Sequence, residues 1–218
     1  MDILGLLDAP SAMIVIGGTA IATFLRCGVN GSRAALVAVV RLGRRRFDAE
    51  RVRAELAVQV REIQTDGLLR AVPHPLGDSD FDDVTDALIG QRSIAALHCK
   101  HDANKARRLD AGARATAALS QAAELAPVFG LAGTLVSLSQ LPTAGVAMDA
   151  WSGAISMAVL STLYGLLLAN LVLAPLARMV HRVAEQEEVQ RQQVVDWLAG
   201  LVSKGISRSA FANMSTAA

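Results

Sequence analysis

Residues 125–177 read LAPVFGLAGTLVSLSQLPTAGVAMDAWSGAISMAVLSTLYGLLLANLVLAPLA, and Asp149 is their single charged side chain. A hydrocarbon core about 30 Å thick needs about 20 apolar residues at a helical rise of about 1.5 Å each. Leu125 to Val146 and Ser152 to Ala177 both meet that length on either side of a short turn containing Asp149. The stretch therefore predicts a transmembrane hairpin, and the rest of the chain is read from it.

Over all 218 residues, 52% are hydrophobic and 19% charged, with a mean hydropathy of +0.37. The charges are segregated into the segments between apolar runs. Arg26, Arg33, Arg41, Arg44, Arg45 and Arg46 follow the first run, and Arg178 and Arg182 follow the last, whereas the opposite ends carry Asp2, Asp8 and Asp149. The positive-inside bias then puts residues from about 30 to 120 and the C-terminal tail in the cytoplasm and the N-terminus outside. The first run, Ala9 to Leu25, is uncharged and just long enough to span. A secretory signal is the competing reading of that run, but Asp2 stands where positive charge belongs. Arg26 also spoils a lipoprotein-type box at Cys27. The expected segments are 1–29 with the first span, a helical cytoplasmic region 30–121, a channel-forming hairpin 122–177, and a cytoplasmic helix with a disordered tail over 178–218. The fold class is an all-α membrane protein whose last two spans extend into the cytoplasm.

Cys27 and Cys99 give no disulfide framework. The net charge of +1 and the absence of a basic stripe interleaved with aromatics point away from nucleic acid. Val52, Leu56, Val60 and Ile63, then Leu68 and Leu69, recur at amphipathic helical spacing from Asp48 to Val72. After the breaker-rich VPHPLGDSDFDD, one proline-free helix is expected from near Val84 to Glu124, running straight into the second span. Beyond Pro175, Met179, Val183, Val194, Leu198, Leu201 and Val202 continue a helical pattern. The tail after Lys204 shows no periodicity.

His98, Cys99 and His101 suggest a metal cluster, yet only His98 and His101 share a helical face, so no metal site and no cofactor is expected. Walker loops, nucleophile elbows and HExxH are absent, which argues against an ordinary enzyme. The hairpin carries small or hydroxylated residues at three- and four-residue spacing, including Gly130, Gly133, Thr134 and Ser137 on one helix and Ser161, Thr162 and Gly165 on the other. Small residues let spanning backbones approach, and Thr134 and Thr162 add hydroxyls that either bond their own helix or face a hydrated path. Pro127 and Pro175 remove backbone donors, with kinks at matching depths expected from them. No span has Asp, Glu, Lys, Arg or His in its interior, and Glu124 stands at the cytoplasmic mouth. Moving protons or cations through hydrocarbon needs such a group, so a carrier would come from another chain.

These residues resemble the MotA/TolQ/ExbB ion-channel family. ELAPVFGLAGTLVSLSQL (Glu124 to Leu141) is similar to the family's Pro-x-x-Gly-x-x-Gly-Thr span, and AISMAVLSTLYGLLLANLVLAPLA (Ala154 to Ala177) to its last span. LLDAPSAMIVIGGTAIATFL (Leu6 to Leu25) resembles the Gly-Gly-Thr span of the flagellar stator branch. The resemblance implies a homo-oligomeric ring in the bacterial inner membrane around a single-span partner of MotB, TolR or ExbD type carrying one membrane aspartate. Thr134 and Thr162 would line the path of H⁺ or Na⁺, and Pro127 and Pro175 would couple protonation to movement. Arg61 and Arg70 would be the contacts to a flagellar rotor protein, while Val72 stands where the stator branch has a glutamate. The Gly-Gly-Thr span favours a MotA-like stator; the three-span count is that of a TolQ/ExbB-like energiser; a non-conducting scaffold is the rival outside the family.

Overall fold

The computed structural model describes residues 9–43, 47–66, 75–140 and 148–216, with side chains omitted at 64–66, 148–150 and 205–216. Among the described residues there is no strand, and the helices are α1 (Ala9–Leu42), α2 (Ala49–Asp66), α3 (Ser79–Gln91), α4 (Ile94–Ser139), α5 (Met148–Leu167) and α6 (Ala174–Thr216), with a π-helical turn, Leu168–Leu173, between the last two. Three helical stretches, in α1, in α4 and from Trp151 onward, are long and apolar enough to cross a membrane. The fold is all-α.

Local chemistry sets the helix ends. Asp48 caps α2, its Oδ1 accepting from the Glu50 and Arg51 amides at 3.1 Å each. Asp78 caps α3 through the Asp80 amide at 3.0 Å. α3 stops at Arg92, which is left-handed (φ 54°, ψ 34°), and the Ser93 carbonyl then receives the Leu97 amide at 3.3 Å. The single helix expected from Val84 to Glu124 is thus two, because the left-handed Arg92 closes one and Ser93 begins the next. α4 ends at Ser139, and the remainder of the expected span, residues 141–146, lies outside the described residues. Asp149 lies in the first turn of α5 instead of in a turn between helices, a place where a helix favours negative charge. The backbone is helical through Thr216, so the tail expected to be disordered after Lys204 continues α6; Ala and Ser tolerate that extension.

The chain divides into two packed units, one of residues 1–44 with 111–182 and one of residues 45–110 with 183–218. Apolar length instead divides it near 29, 121 and 177, since α4 and α6 each contribute to both units. In the first unit α1 packs on α4 and α5. Ile14 and Gly18 of α1 meet Gly133 and Phe129 of α4, and Ser11 Oγ donates to the Met157 carbonyl of α5 at 3.4 Å. α1 changes direction of its backbone at Gly28 (φ 68°, ψ −178°), a conformation open to glycine. Its continuation packs Ala34, Ala35, Ala38, Val39 and Leu42 on Ala115, Leu119, Ala177 and Val180.

The second unit is built on the α2 stripe. Val52, Leu56, Val60 and Ile63 are buried with Leu76, Phe81, Val84, Leu88 and Leu97, and with Val194, Val195, Leu198 and Val202 of α6. Beside this core lies an ion-pair network. Arg191 Nη2 is 2.8 Å from Asp78 Oδ2 and its Nε 2.9 Å from Glu187. Arg108 bridges Asp80 at 2.6 Å and Glu188 at 3.0 Å. Burial alone would raise the Asp78 carboxyl, but the Arg191 guanidinium outweighs it and holds Asp78 below the usual carboxylate range.

Candidate functional site

The α4–α5 crossing is set by glycines. A Cβ built on Gly165 would stand 2.7 Å from the Ala126 carbonyl oxygen, 3.0 Å from Gly130 Cα and 3.2 Å from Pro127 Cα. One on Gly130 would stand 3.0 Å from the Ser161 carbonyl oxygen, and one on Gly133 would stand 2.8 Å from Ser161 Cβ. Gly130, Gly133, Gly165 and Ser161 therefore meet at one buried contact in which backbone touches backbone. Ser161 Oγ, fully buried, shares its proton between the Ala158 carbonyl at 2.9 Å and the Gly130 carbonyl across the crossing at 3.1 Å.

The two threonines flank this contact. Thr134 follows Gly133 and Thr162 follows Ser161, so both start from the level at which those neighbours touch. Thr134 Oγ1 donates to the Leu131 carbonyl at 2.6 Å and Thr162 Oγ1 to the Ala158 carbonyl at 3.3 Å. Each hydroxyl proton is committed to its own helix, and both side chains are half-buried. What remains for a visitor is oxygen lone pairs, which accept a hydrogen bond from a protonated carboxyl or coordinate a hard cation.

Pro127 lies inside α4 without ending it, and Pro175 is the second residue of α6. Matching depths are not what the register gives. Pro127 is level with Gly165, whereas Ala177 near Pro175 packs by Ala115 and Leu119, so the prolines stand about two helical turns apart. The antiparallel register fixed by the glycines leaves no other alignment. At Pro175 the ladder is also re-routed: the π turn precedes it, and the Ala174 amide reaches back to the Ala169 carbonyl. Within that turn the exposed Asn170 donates Nδ2 to the Leu166 carbonyl at 3.0 Å.

The other sequence candidates are dispersed. Glu124 is exposed on α4 and Arg61 is exposed on α2, while Arg70 lies outside the described residues. His101 is buried against α6, its Nε2 3.2 Å from Gln192 Oε1, and Cys99 of the same triplet is exposed. Sequence reasoning missed Asn170 and the Arg108 and Arg191 pairs; the i, i+4 spacing of Glu187 and Arg191 was the visible signal for the latter.

The chain is 32% identical over 149 residues to the uncharacterized protein YtxD of Bacillus subtilis, covering 66% of this chain and 48% of YtxD, so it spans about half the length of that relative. It is 25% identical over 201 residues to a motility protein A of Cereibacter sphaeroides, covering 89% of this chain and 77% of the relative. The solved structure of C. jejuni MotAB superposes with a TM-score of 0.78 at 16% identity, covering 93% of this chain and 80% of that one, which shows a shared fold. The model of the MotA/TolQ/ExbB proton channel family matches residues 87–193. That stretch opens within α3 and closes within α6, so the glycine crossing and both threonines fall inside it, and over these residues the chain is similar to the MotA/TolQ/ExbB proton channel family.

Proposed function

We propose that this chain is the ring-forming inner-membrane subunit of a proton-driven channel, working as a MotA-like stator of a flagellar motor. The N-terminus lies outside and residues after the first span, with the C-terminus, lie in the cytoplasm. The observation that carries the reading is the pair Thr134 and Thr162, level on a glycine crossing, in spans whose interiors hold no Asp, Glu, Lys, Arg or His. Such a wall accepts charge without supplying it. The carboxylate belongs to a single-span partner of MotB type, as the name of the C. jejuni complex supports.

In this mechanism the partner's aspartate sits beside the threonine oxygens. Ionised in low dielectric it is costly; protonated it is neutral and donates to a threonine oxygen. Each protonation changes which oxygen it bonds, and the ring steps past it. Glu124 gathers cations at the cytoplasmic mouth, Arg61 and Arg70 face the rotor, and H⁺ is the cargo, with Na⁺ the alternative that oxygen ligands also suit. The test is co-expression with the product of the neighbouring gene, followed by proton flux in reconstituted vesicles with the partner's membrane aspartate intact or changed to asparagine. Flux that vanishes with asparagine is the expected result. A stable complex with no flux in either form would replace the channel by a scaffold.

A further inference from the structure

After Gly28 the first helix changes character. Residues 9–25 are uncharged, whereas 26–42 carry Arg26, Arg33 and Arg41, all exposed. On residues 29–42 the small side chains Ala34, Ala35, Ala38 and Val39 face inward to Ala115 and Val180. The opposite stripe is apolar and uncovered: Val29 is 65% exposed, Leu36 67%, Val37 44% and Val40 52%. These positions recur at helical spacing with Arg33 among them, so long basic side chains border an apolar stripe. Arg26, Arg33 and Arg41 form no ion pair among the described residues. The whole unit is lopsided. Across residues 9–43 and 111–182 the described acidic side chain is Glu124, against Arg26, Arg33, Arg41, Arg114, Arg178 and Arg182.

We infer that residues 29–42 form a basic interfacial helix that recruits anionic phospholipid to the edge of the span, with Arg33 and Arg41 on it and Arg26 just before the break at Gly28 holding the headgroups. An uncovered apolar stripe with basic margins, immediately after a span, fits the boundary where acyl chains meet headgroups. Arginine supplies a donor fork matched to phosphate oxygens, and its aliphatic stem can lie along the apolar stripe. A second copy of the chain is a poorer occupant, because this unit offers one described carboxylate to meet the arginines. The placement at the cytoplasmic face rests on the proposed topology, but the lipid preference is measured independently of channel activity.

The full chain, co-expressed with its partner, is purified from mixed phosphatidylglycerol and phosphatidylcholine, and retained lipid is counted by native mass spectrometry. Each arginine within reach of the headgroups favours the anionic lipid by about fivefold, so wild type should retain phosphatidylglycerol over phosphatidylcholine by about tenfold or more. Arg26→Gln/Arg33→Gln/Arg41→Gln should lose that preference while the complex elutes at unchanged size, and the corresponding triple lysine variant should keep it. Equal retention of the two lipids by wild type would overturn the inference. So would near-complete disulfide formation between copies through Val37→Cys in a Cys27→Ser/Cys99→Ser background, since the stripe would then be covered by protein. Proton flux from wild type in either case leaves the channel reading standing, so the two can fail separately.

Discussion

Arg191 and Asp78 are joined by two hydrogen bonds, Nη2 to Oδ2 at 2.8 Å and Nη1 to Oδ1 at 3.2 Å, while the guanidinium carbon lies 4.4 Å from the Phe47 ring centroid and 5.5 Å from that of Phe81. The carboxylate that caps α3 is thus also the partner of a buried cation on α6.

Removing either member should cost more than losing a surface pair. Arg191→Met leaves Asp78 without its cation, and a loss of about 2 kcal/mol is expected, below the fully buried range because Asp78 is partly exposed. Thermal unfolding of the purified complex should show it as a fall of about 5 °C. Asp78 is held below its unfolded value, so its contribution is present above the unfolded pKa and fades as the pH drops through the folded one. The variant should therefore show a shallower stability loss on acidification below about pH 4.

His101 gives a second, higher pH window. Burial is the largest influence and holds it below the usual imidazole value, against the Gln192 hydrogen bond and the Glu188 charge; Arg108 adds to the lowering and Asp102 opposes it. The unfolded chain binds that proton more readily, so stability rises with pH and falls as pH drops below about 6.5. His101→Gln should flatten the unfolding temperature as pH falls below about 6.5, checked by the same scan across pH. An unchanged slope would assign the window to another group.

Gly165→Ala places a methyl group against the Ala126 carbonyl and Gly130 Cα, both backbone. Neither can move without separating the helices, and a loss of about 2 kcal/mol is expected. Gly153 is the control, since a methyl group there meets nothing within 4 Å. Gly153→Ala should be neutral or slightly stabilising, whereas Gly165→Ala should lower the yield of assembled complex on size exclusion.

Thr134→Val and Thr162→Val together keep shape and remove both hydroxyls. Proton flux should drop at least about tenfold, the loss of about 1.4 kcal/mol of stabilisation of the moving charge, while assembly is retained. Thr162→Ser on the single-site background should keep most of the flux. A double valine variant with wild-type flux would remove the threonines from the path.

Much of this was legible because hydrocarbon is a strict solvent. Uncharged length located the spans, and the four-residue recurrence of Val52, Leu56 and Val60 located the α2 core face without any contact being known. The glycines of the crossing were visible as a spacing, although their pairing of Gly130 with Gly165 depends on an antiparallel register that no single helix encodes. That register also separates Pro127 from Pro175, which proline positions counted from the span ends could not reveal. The break at Arg92 was hidden because a left-handed arginine carries no sequence signature of the kind glycine does. Arg108, Arg191 and their carboxylates read as a solvated polar stretch; partners as distant in sequence as Asp78 and Arg191 become neighbours only when α3 and α6 are packed.

The π turn before Pro175 counts residues differently from the helices around it. A wide turn is an α-helix with one residue more than it needs, and each residue in an α-helix advances the azimuth by about 100°. Ala158, Ser161, Gly165 and Ala169 keep one phase, and the wide turn holds Ala177 near it, where a plain helix would carry that residue about 80° away. Deleting one residue between Leu168 and Leu173 would restore a plain helix and leave Ala177 at nearly the same azimuth, because the wide turn already absorbs the extra residue. A relative one residue shorter here would show the same face of its last helix, whereas a chain of this length that ran through as a plain helix would turn a different one inward.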